Sequence, residues 1–228
     1  MTSKISEIIK RAKLRIFLVD DHPLVRKGIA DCIRDEPNMT VCGQAGTAAE
    51  ALAEIATQKP DVALVDISLP GRDGIELTKD IKTRSPQTRI VVLSMHDESL
   101  YARRALRAGA AGYLMKSASA SALIKAIRSV CDGKLVISPA VSERLVEQAV
   151  NNGKQSPTEA LSDREIQVLR MYGEGCTRSQ IGNQLNLSLK TVESHRANIC
   201  RKLGFKNSTE LLRYAIDFVR REQSGPPG

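Results

Sequence analysis

The sequence predicts an α/β fold, a doubly wound five-stranded parallel sheet, followed by a small all-α helix-turn-helix unit. Three observations predict it. Short apolar runs alternate with amphipathic stretches five times between residues 14 and 133. Three of those runs end in polar groups, Asp20-Asp21, Asp66 and Ser94, and the fifth is followed by Lys116. Beyond residue 160 the strand pattern stops, and four short helices with their own caps follow.

Leu14 to Val19 is the first apolar strand, ending at Asp20-Asp21. Pro23 opens a helix with Leu24, Val25, Ile29 and Ile33 at helical spacing. Met39 to Gln44 is the second strand, and an Ala-rich helix runs from about Thr47 to Gln58. Val62 to Val65 is a run of branched residues fit for a central strand, ending at Asp66. The turn dipeptides Pro70-Gly71 and Asp73-Gly74 then launch a helix to about Thr83. Arg89 to Leu93 ends in Ser94, and an amphipathic helix covers Glu98 to Ala108. Ala111 to Met115 is the fifth strand, and a helix from Ser119 to Asp132 ends at Gly133. Residues 134–160 form a linker, helical in part from Pro139 to Val150, with a flexible polar stretch over Asn151–Thr158. Residues 161–221 are the helix-turn-helix unit. Ser162 and Glu165 form a capping box, Thr177 and Ser188 cap the next two helices, and the last runs over Ser208–Val219. The tail from Gln223 is expected to be disordered.

The chain has 228 residues with 34 Lys and Arg against 26 Asp and Glu, a net charge of +8. Between residues 189 and 206 five basic residues face Glu193 alone, which points to a nucleic-acid partner. There is no Trp and few aromatics, which argues against base stacking on a sheet and leaves duplex binding by a helix. The five Cys form no CxxC pair and signal neither zinc nor a disulfide framework. No run approaches the roughly 18 apolar residues of a membrane span. Residues 1–13 do not read as a signal peptide, so a cytoplasmic location is expected.

Parallel strands present their carboxyl ends on one edge, so Asp20, Asp21, Asp66, Ser94 and Lys116 should converge there. Singly, each has a plainer role, the Asp residues as helix caps and the lysine as a solvated side chain. Together they make a site. Three carboxylates suit a hard cation such as Mg²⁺. An Asp carboxylate can attack phosphorus and form an acyl phosphate, with Lys116 and the Ser94 hydroxyl holding the phosphate. In the basic helix, positions about 100° apart place Val192, Ile199 and Leu203 on a core stripe, flanked by Leu189 and His195. Lys190, Glu193, Ser194, Ala197 and Arg201 fall opposite. Glu193, Ser194 and Ala197 would lie near base edges, and Lys190, Arg201 and Thr191 near phosphates.

Val19-Asp20-Asp21-His22-Pro23, the stretch Val65 to Gly74, Ser94 and Gly112-Tyr113-Leu114-Met115-Lys116 resemble the receiver domain of two-component response regulators. Leu161 to Glu165 and Thr191-Val192-Glu193-Ser194-His195, with Ile199 and Lys202-Leu203-Gly204, resemble the LuxR-type helix-turn-helix. The combination is similar to the NarL/FixJ group, with residues 14–133 as receiver. The resemblance implies Asp66 as phosphoacceptor. It implies Asp21, Asp66 and the Ser68 carbonyl as Mg²⁺ ligands, with Asp20 acting through water. Ser94 and Tyr113 would be the switch pair and Lys116 the phosphate-sensing cation. The implied partners are a histidine kinase, double-stranded DNA and a second copy in a homodimer formed on phosphorylation, with no membrane contact. Two departures stand out. Ser117 replaces a proline common after the lysine, where a cis bond would now cost about 3–4 kcal/mol, and Met95 is bulky beside Ser94. A phosphohydrolase is the competing enzyme reading. Aspartate phosphatases of the haloacid dehalogenase type carry a second Asp where this chain has Ser68, so no enzyme is expected. A third reading is a phosphorylation-independent regulator that uses the receiver for docking.

Overall fold

A computed structural model of the chain describes residues 13–95, 98–150 and 157–224. The expectations for residues 1–12, for 151–156 of the linker and for 225–228 of the tail lie outside the described residues. Five strands, β1 (Leu14–Val19), β2 (Met39–Ala45), β3 (Val62–Asp66), β4 (Arg89–Ser94) and β5 (Gly112–Met115), pair in parallel in the order β2-β1-β3-β4-β5. Their period-two pattern splits the core. Phe17, Val19, Ala63, Val65, Ile90, Val92 and Tyr113 face α2 (Ala48–Gln58), α3 (Gly74–Arg84) and α4 (Glu98–Arg107). Ile16, Leu18, Val62, Leu64, Val91 and Leu93 face α1 (Pro23–Arg34) and α5 (Ala120–Cys131). Each such side chain, fully buried, contributes about 1.5–3 kcal/mol, so both faces must be covered, and strict strand–helix alternation covers them.

The order of strands reverses at β1, so the crevice between the ends of β1 and β3 is the switch point of the sheet. Asp20 follows β1 and Asp66 closes β3 at that crevice.

α6 (Pro139–Val150) packs on α4 through buried Val141, and a 3₁₀ turn over Pro157–Ala160 leads into the helical unit. That unit holds α7 (Asp163–Gly173), α8 (Arg178–Leu185), α9 (Leu189–Leu203) and α10 (Ser208–Ser224). The expected capping box forms at Ser162–Glu165, and Thr177, expected only as a cap, forms a second one with Gln180. Asn186 takes the left-handed conformation in the turn between α8 and α9, at φ 52°. Leu211, Ala215 and Val219 bury one face of α10, which packs on α7.

The structure corrects several boundaries, the helix expected to reach Ala108 ending at Arg107 among them. β2 extends through Ala45, β5 begins at Gly112, and α10 runs to Ser224 rather than Val219. The expected tail therefore begins too early, because Arg220 and Arg221 continue the helix beyond its buried stripe. Ser119 stands outside α5 as its cap, its hydroxyl accepting from Ala122 N–H.

Candidate phosphoacceptor site and nucleic-acid interface

The expected convergence is present. Asp20 and Asp66 are 2% and 1% exposed, and Lys116 Nζ lies 2.7 Å from Asp20 Oδ2 and 2.8 Å from Asp66 Oδ2. The Ser68 N–H donates to the Asp66 carboxylate. Burial pushes the Asp66 carboxyl up, Lys116 pulls it down, Asp20 adds to the rise, and the net direction is upward. Burial alone would lower the Lys116 ammonium, but Asp20 and Asp66 outweigh it and raise it. Gly74 is required here: its N–H donates to Ile67 O at 2.9 Å, and a Cβ would collide with the Asp66 carbonyl.

Asp21 stands at the rim, one oxygen 2.7 Å from His22 Nδ1, and Asp20 Oδ1 accepts from the His22 N–H at 2.8 Å. Asp20, Asp21, His22 and Asp66 each offer a ligand atom within 4.8 Å of the others. Asp20 Oδ2, Asp21 Oδ1 and Asp66 Oδ2 are buried and lack a hydrogen-bond donor in good geometry, with Lys116 and His22 as near neighbours. Such oxygens fit a hard divalent cation. His22 was missed in the sequence; its place directly after the paired Asp residues was the available signal.

Ser94 is fully buried at the end of β4, and its carbonyl accepts from Lys116 N–H at 2.8 Å. Tyr113 is 1% exposed, so its ring already lies inside the fold. Met95 is 65% exposed beside the site. All described peptides are trans, that of Lys116-Ser117 included.

The helical unit is docked on the sheet domain. Asp163, the first residue of α7, takes Lys79 Nζ and Arg104 Nη1 at 2.7 Å each. Arg104 also donates to the carbonyls of Thr158 and Leu161 at 2.8 Å. Gly71, in the loop after β3, donates to Gln184 O at 3.2 Å, and a Cβ on it would meet Asn186 Nδ2 at 2.8 Å. Asp73 caps α3 and is 1% exposed. Burial, with Asp163 and Glu76 nearby, pushes its carboxyl to about 7, against the pull of the Ile75 N–H and Arg170.

On α9, Val192 and Ile199 are buried, while Lys190, Ser194, Ala197 and Arg201 are exposed as expected. Thr191 is half-buried, and its hydroxyl lies 2.8 Å from that of Ser188. Leu189, expected to flank the core stripe, begins the helix and is 56% exposed. Glu193 is bound by Arg178 at 2.8 Å and Arg196 at 3.0 Å, and Arg178 above all holds its carboxyl below the usual range. Arg196 lies over the Tyr172 ring, 4.5 Å from its centroid. His195 is half-buried, and burial lowers its pKa. Glu165 is buried and accepts from Lys202, tying α7 to α9. Among the described residues no helix is long and apolar enough to cross a membrane.

Residues 16–128 match the family model of the response regulator receiver domain, and residues 159–215 that of bacterial regulatory proteins of the luxR family. The chain is 34% identical to the DNA-binding transcriptional activator DevR/DosR of Mycobacterium tuberculosis, over 94% of this chain and 98% of that protein. It is 38% identical to the response regulator GacA of Pseudomonas protegens, over 89% and 95%. Among solved structures, RcsB of Salmonella typhimurium is similar at 28% identity and a TM-score of 0.67, covering 90% of this chain and 98% of that one. RcsB of Salmonella enterica bound to promoter rprA with the phosphomimetic BeF₃⁻ matches at 28% identity and 0.64, with the same coverage. With relatives aligned along nearly its whole length and both halves matched, the chain belongs to the NarL/LuxR family of two-component response regulators.

Proposed function

We propose that this two-component DNA-binding transcription regulator is switched by Mg²⁺-dependent phosphorylation of Asp66, which frees residues 161–221 from the receiver of residues 14–133 and lets the chain dimerise on DNA. The observation that carries this reading is the pair of contacts flanking β3. Asp66 meets Lys116 at its end, and the loop that follows meets the helix-turn-helix through Gly71 and Gln184.

A histidine kinase supplies the phosphoryl group as a phosphohistidine. An Asp66 carboxylate oxygen attacks phosphorus, an O–P bond forms, and the P–N bond breaks. The imidazole leaves with the electron pair and takes a proton from solvent. Asp21, Asp66 and the Ser68 carbonyl would hold Mg²⁺, with Asp20 acting through water, and the bound ion would offset charge on the phosphoryl oxygens. Lys116 turns from Asp66 to the new phosphate, and the Ser94 hydroxyl donates to it. Tyr113 already holds the inward position that such a movement of Ser94 would favour. The displaced loop then loosens Gly71 from Gln184, and Asp163 from Lys79 and Arg104. The dimer has a precedent in RcsB, solved as dimers bound to DNA.

In the major groove, Ser194 and Ala197 face base edges, with Glu193 once it leaves Arg178. Lys190, Thr191 and Arg201 meet phosphates. The protein works in the cytoplasm as a regulator and not as an enzyme. The test is intact mass and solution size after incubation with Mg²⁺ and a small phosphodonor, for wild type and Asp66→Asn. One phosphoryl adduct on wild type alone, with a shift towards dimer, is expected. No adduct, even with Met95→Ala opening the site, would favour the docking-module reading.

A further inference from the structure

Leu189 stands open at the start of α9, 56% exposed, while Val192 and Ile199 of the same helix are buried and Leu203 is half-buried. An exposed leucine by itself is ordinary, but this one has no structural task. The core contact ahead of α9 is made by Leu187, which is half-buried and donates its N–H to Gly182 O at 2.8 Å. The helix start is fixed by Ser188, whose hydroxyl accepts from the Thr191 N–H at 3.1 Å. The docked receiver reaches Gln184 through Gly71 and still leaves Leu189 uncovered.

Leu189, Glu193, Ala197 and Arg201 are four residues apart and form one row along α9. Arg178 and Arg196 hold Glu193, so the row offers two apolar groups, Leu189 and Ala197, on either side of a spent carboxylate. The charge around them suits a duplex. In the helical unit, α7 carries Asp163 and Glu165 in its first turn and α10 carries Glu210. The first turns of α8 and α9 carry no acid. A carboxylate there would gain from the helix dipole, and without one the dipole is left to a phosphate. Lys190 adds a positive charge beside Leu189. An isobutyl group so placed has no partner in the phosphate backbone. The apolar feature of base edges in the major groove is the C5-methyl of thymine.

We propose that Leu189 reads a thymine methyl group, as a specificity-determining residue beyond Glu193, Ser194 and Ala197. The proposal rests on α9 entering the major groove by its N-terminal half, as in the proposed function. Leu189 and Ala197 are about 12 Å apart along the helix axis, so the thymine that Leu189 covers is not in the base pair that Ala197 faces.

The test removes one side of the contact at a time. The full chain, incubated with Mg²⁺ and a small phosphodonor, selects duplexes from a pool with a random centre. In one selected duplex each thymine in turn becomes deoxyuridine, which lacks only the C5-methyl. Binding of wild type and of Leu189→Ala is titrated on the whole set. Wild type should bind about fourfold more weakly when one particular thymine of a half-site is replaced, the effect of one buried methyl group. Leu189→Ala should bind the parent duplex about fourfold more weakly or worse, and should lose that deoxyuridine penalty while keeping any others. Its salt slope should match that of wild type, because no phosphate contact has been removed. Equal deoxyuridine penalties in both proteins at every position would overturn the proposal, as would a wild type indifferent to all of them. A pool that yields no enriched duplex would remove the major-groove reading of α9 and the proposal with it.

Discussion

The sheet edge and α9 gather their candidate functional residues by different means. At the sheet edge, parallel topology fixes the address: whatever follows β1, β3, β4 or β5 arrives at one rim, so Asp20, Asp66, Ser94 and Lys116 meet although far apart in sequence. On α9 the address is helical phase, which decides only what faces outward. Which outward groups are free is decided by neighbours, and Arg178, brought in by α8, takes hold of Glu193. A site built by topology is rigid and buried, whereas one built by phase is exposed and adjustable.

The largest way to stress this contrast is Lys116→Ala. The ammonium, 11% exposed, stands between two buried carboxylates. Removing one partner of such a cluster costs about 3–5 kcal/mol. Mg²⁺ at about 100 times its Kd should return roughly 2.7 kcal/mol. Thermal unfolding with and without Mg²⁺ checks this, and a metal-independent loss would mean that the ion does not replace the missing charge.

Asp163→Ala comes next and tests the joint between the two regions. Arg104 is 13% exposed and Lys79 54%, so the arginine contact dominates and the lysine adds less than about 1 kcal/mol. A loss of about 1–3 kcal/mol of docking is expected, since hydrogen bonds to charged groups contribute roughly 1.5–3 kcal/mol each. Small-angle scattering should show a larger radius of gyration before phosphorylation, and DNA affinity should rise about 5–150-fold. An unchanged radius would place the hold elsewhere, at Gly71 or on α6.

Asp73 adds a pH dependence to the same joint. Its carboxyl is raised to about 7 from 3.8, so between those values the folded, docked state binds the proton more tightly than the unfolded chain. The group therefore favours the folded chain at low pH, and that contribution fades as pH rises through about 7. Asp73→Asn keeps a good cap for α3 and removes the charge. At pH 8 it should stabilise by about 1 kcal/mol, or 2–4 °C in Tm, and flatten the dependence of Tm on pH.

The legible part of the molecule follows from that opening contrast. The five strands, their order of polar endings and the site at their rim were readable because a period of two and a run ending in Asp are local signals. The outward face of α9 was readable in phase. The role of Asp163 was not, since Lys79 and Arg104 lie 84 and 59 positions away and the pattern of Ser162–Glu165 spends that residue as ordinary helix start. Leu189 looked like core because the wheel has no ends, whereas the real helix does.

Arg178→Ala carries the smallest effect and bears most directly on α9. Both partners are largely exposed, Arg178 at 62% and Glu193 at 44%, so their pair adds about 0–1 kcal/mol to stability. Its importance lies in what Glu193 can do. Held by Arg178, the carboxylate is an accepting group already spent; released, it can accept from a cytosine N4 amine. If Arg178 serves only to park Glu193, its removal should leave the salt slope of DNA binding alone and sharpen preference at one base position. If Arg178 instead turns to a phosphate on binding, affinity should fall uniformly across sequences and the salt slope drop by about one. Titrating labelled duplexes at several salt concentrations separates the two. The parked state predicts that Glu193→Gln, which weakens the grip of Arg178 without removing the side chain, shifts sequence preference in the absence of any change in slope.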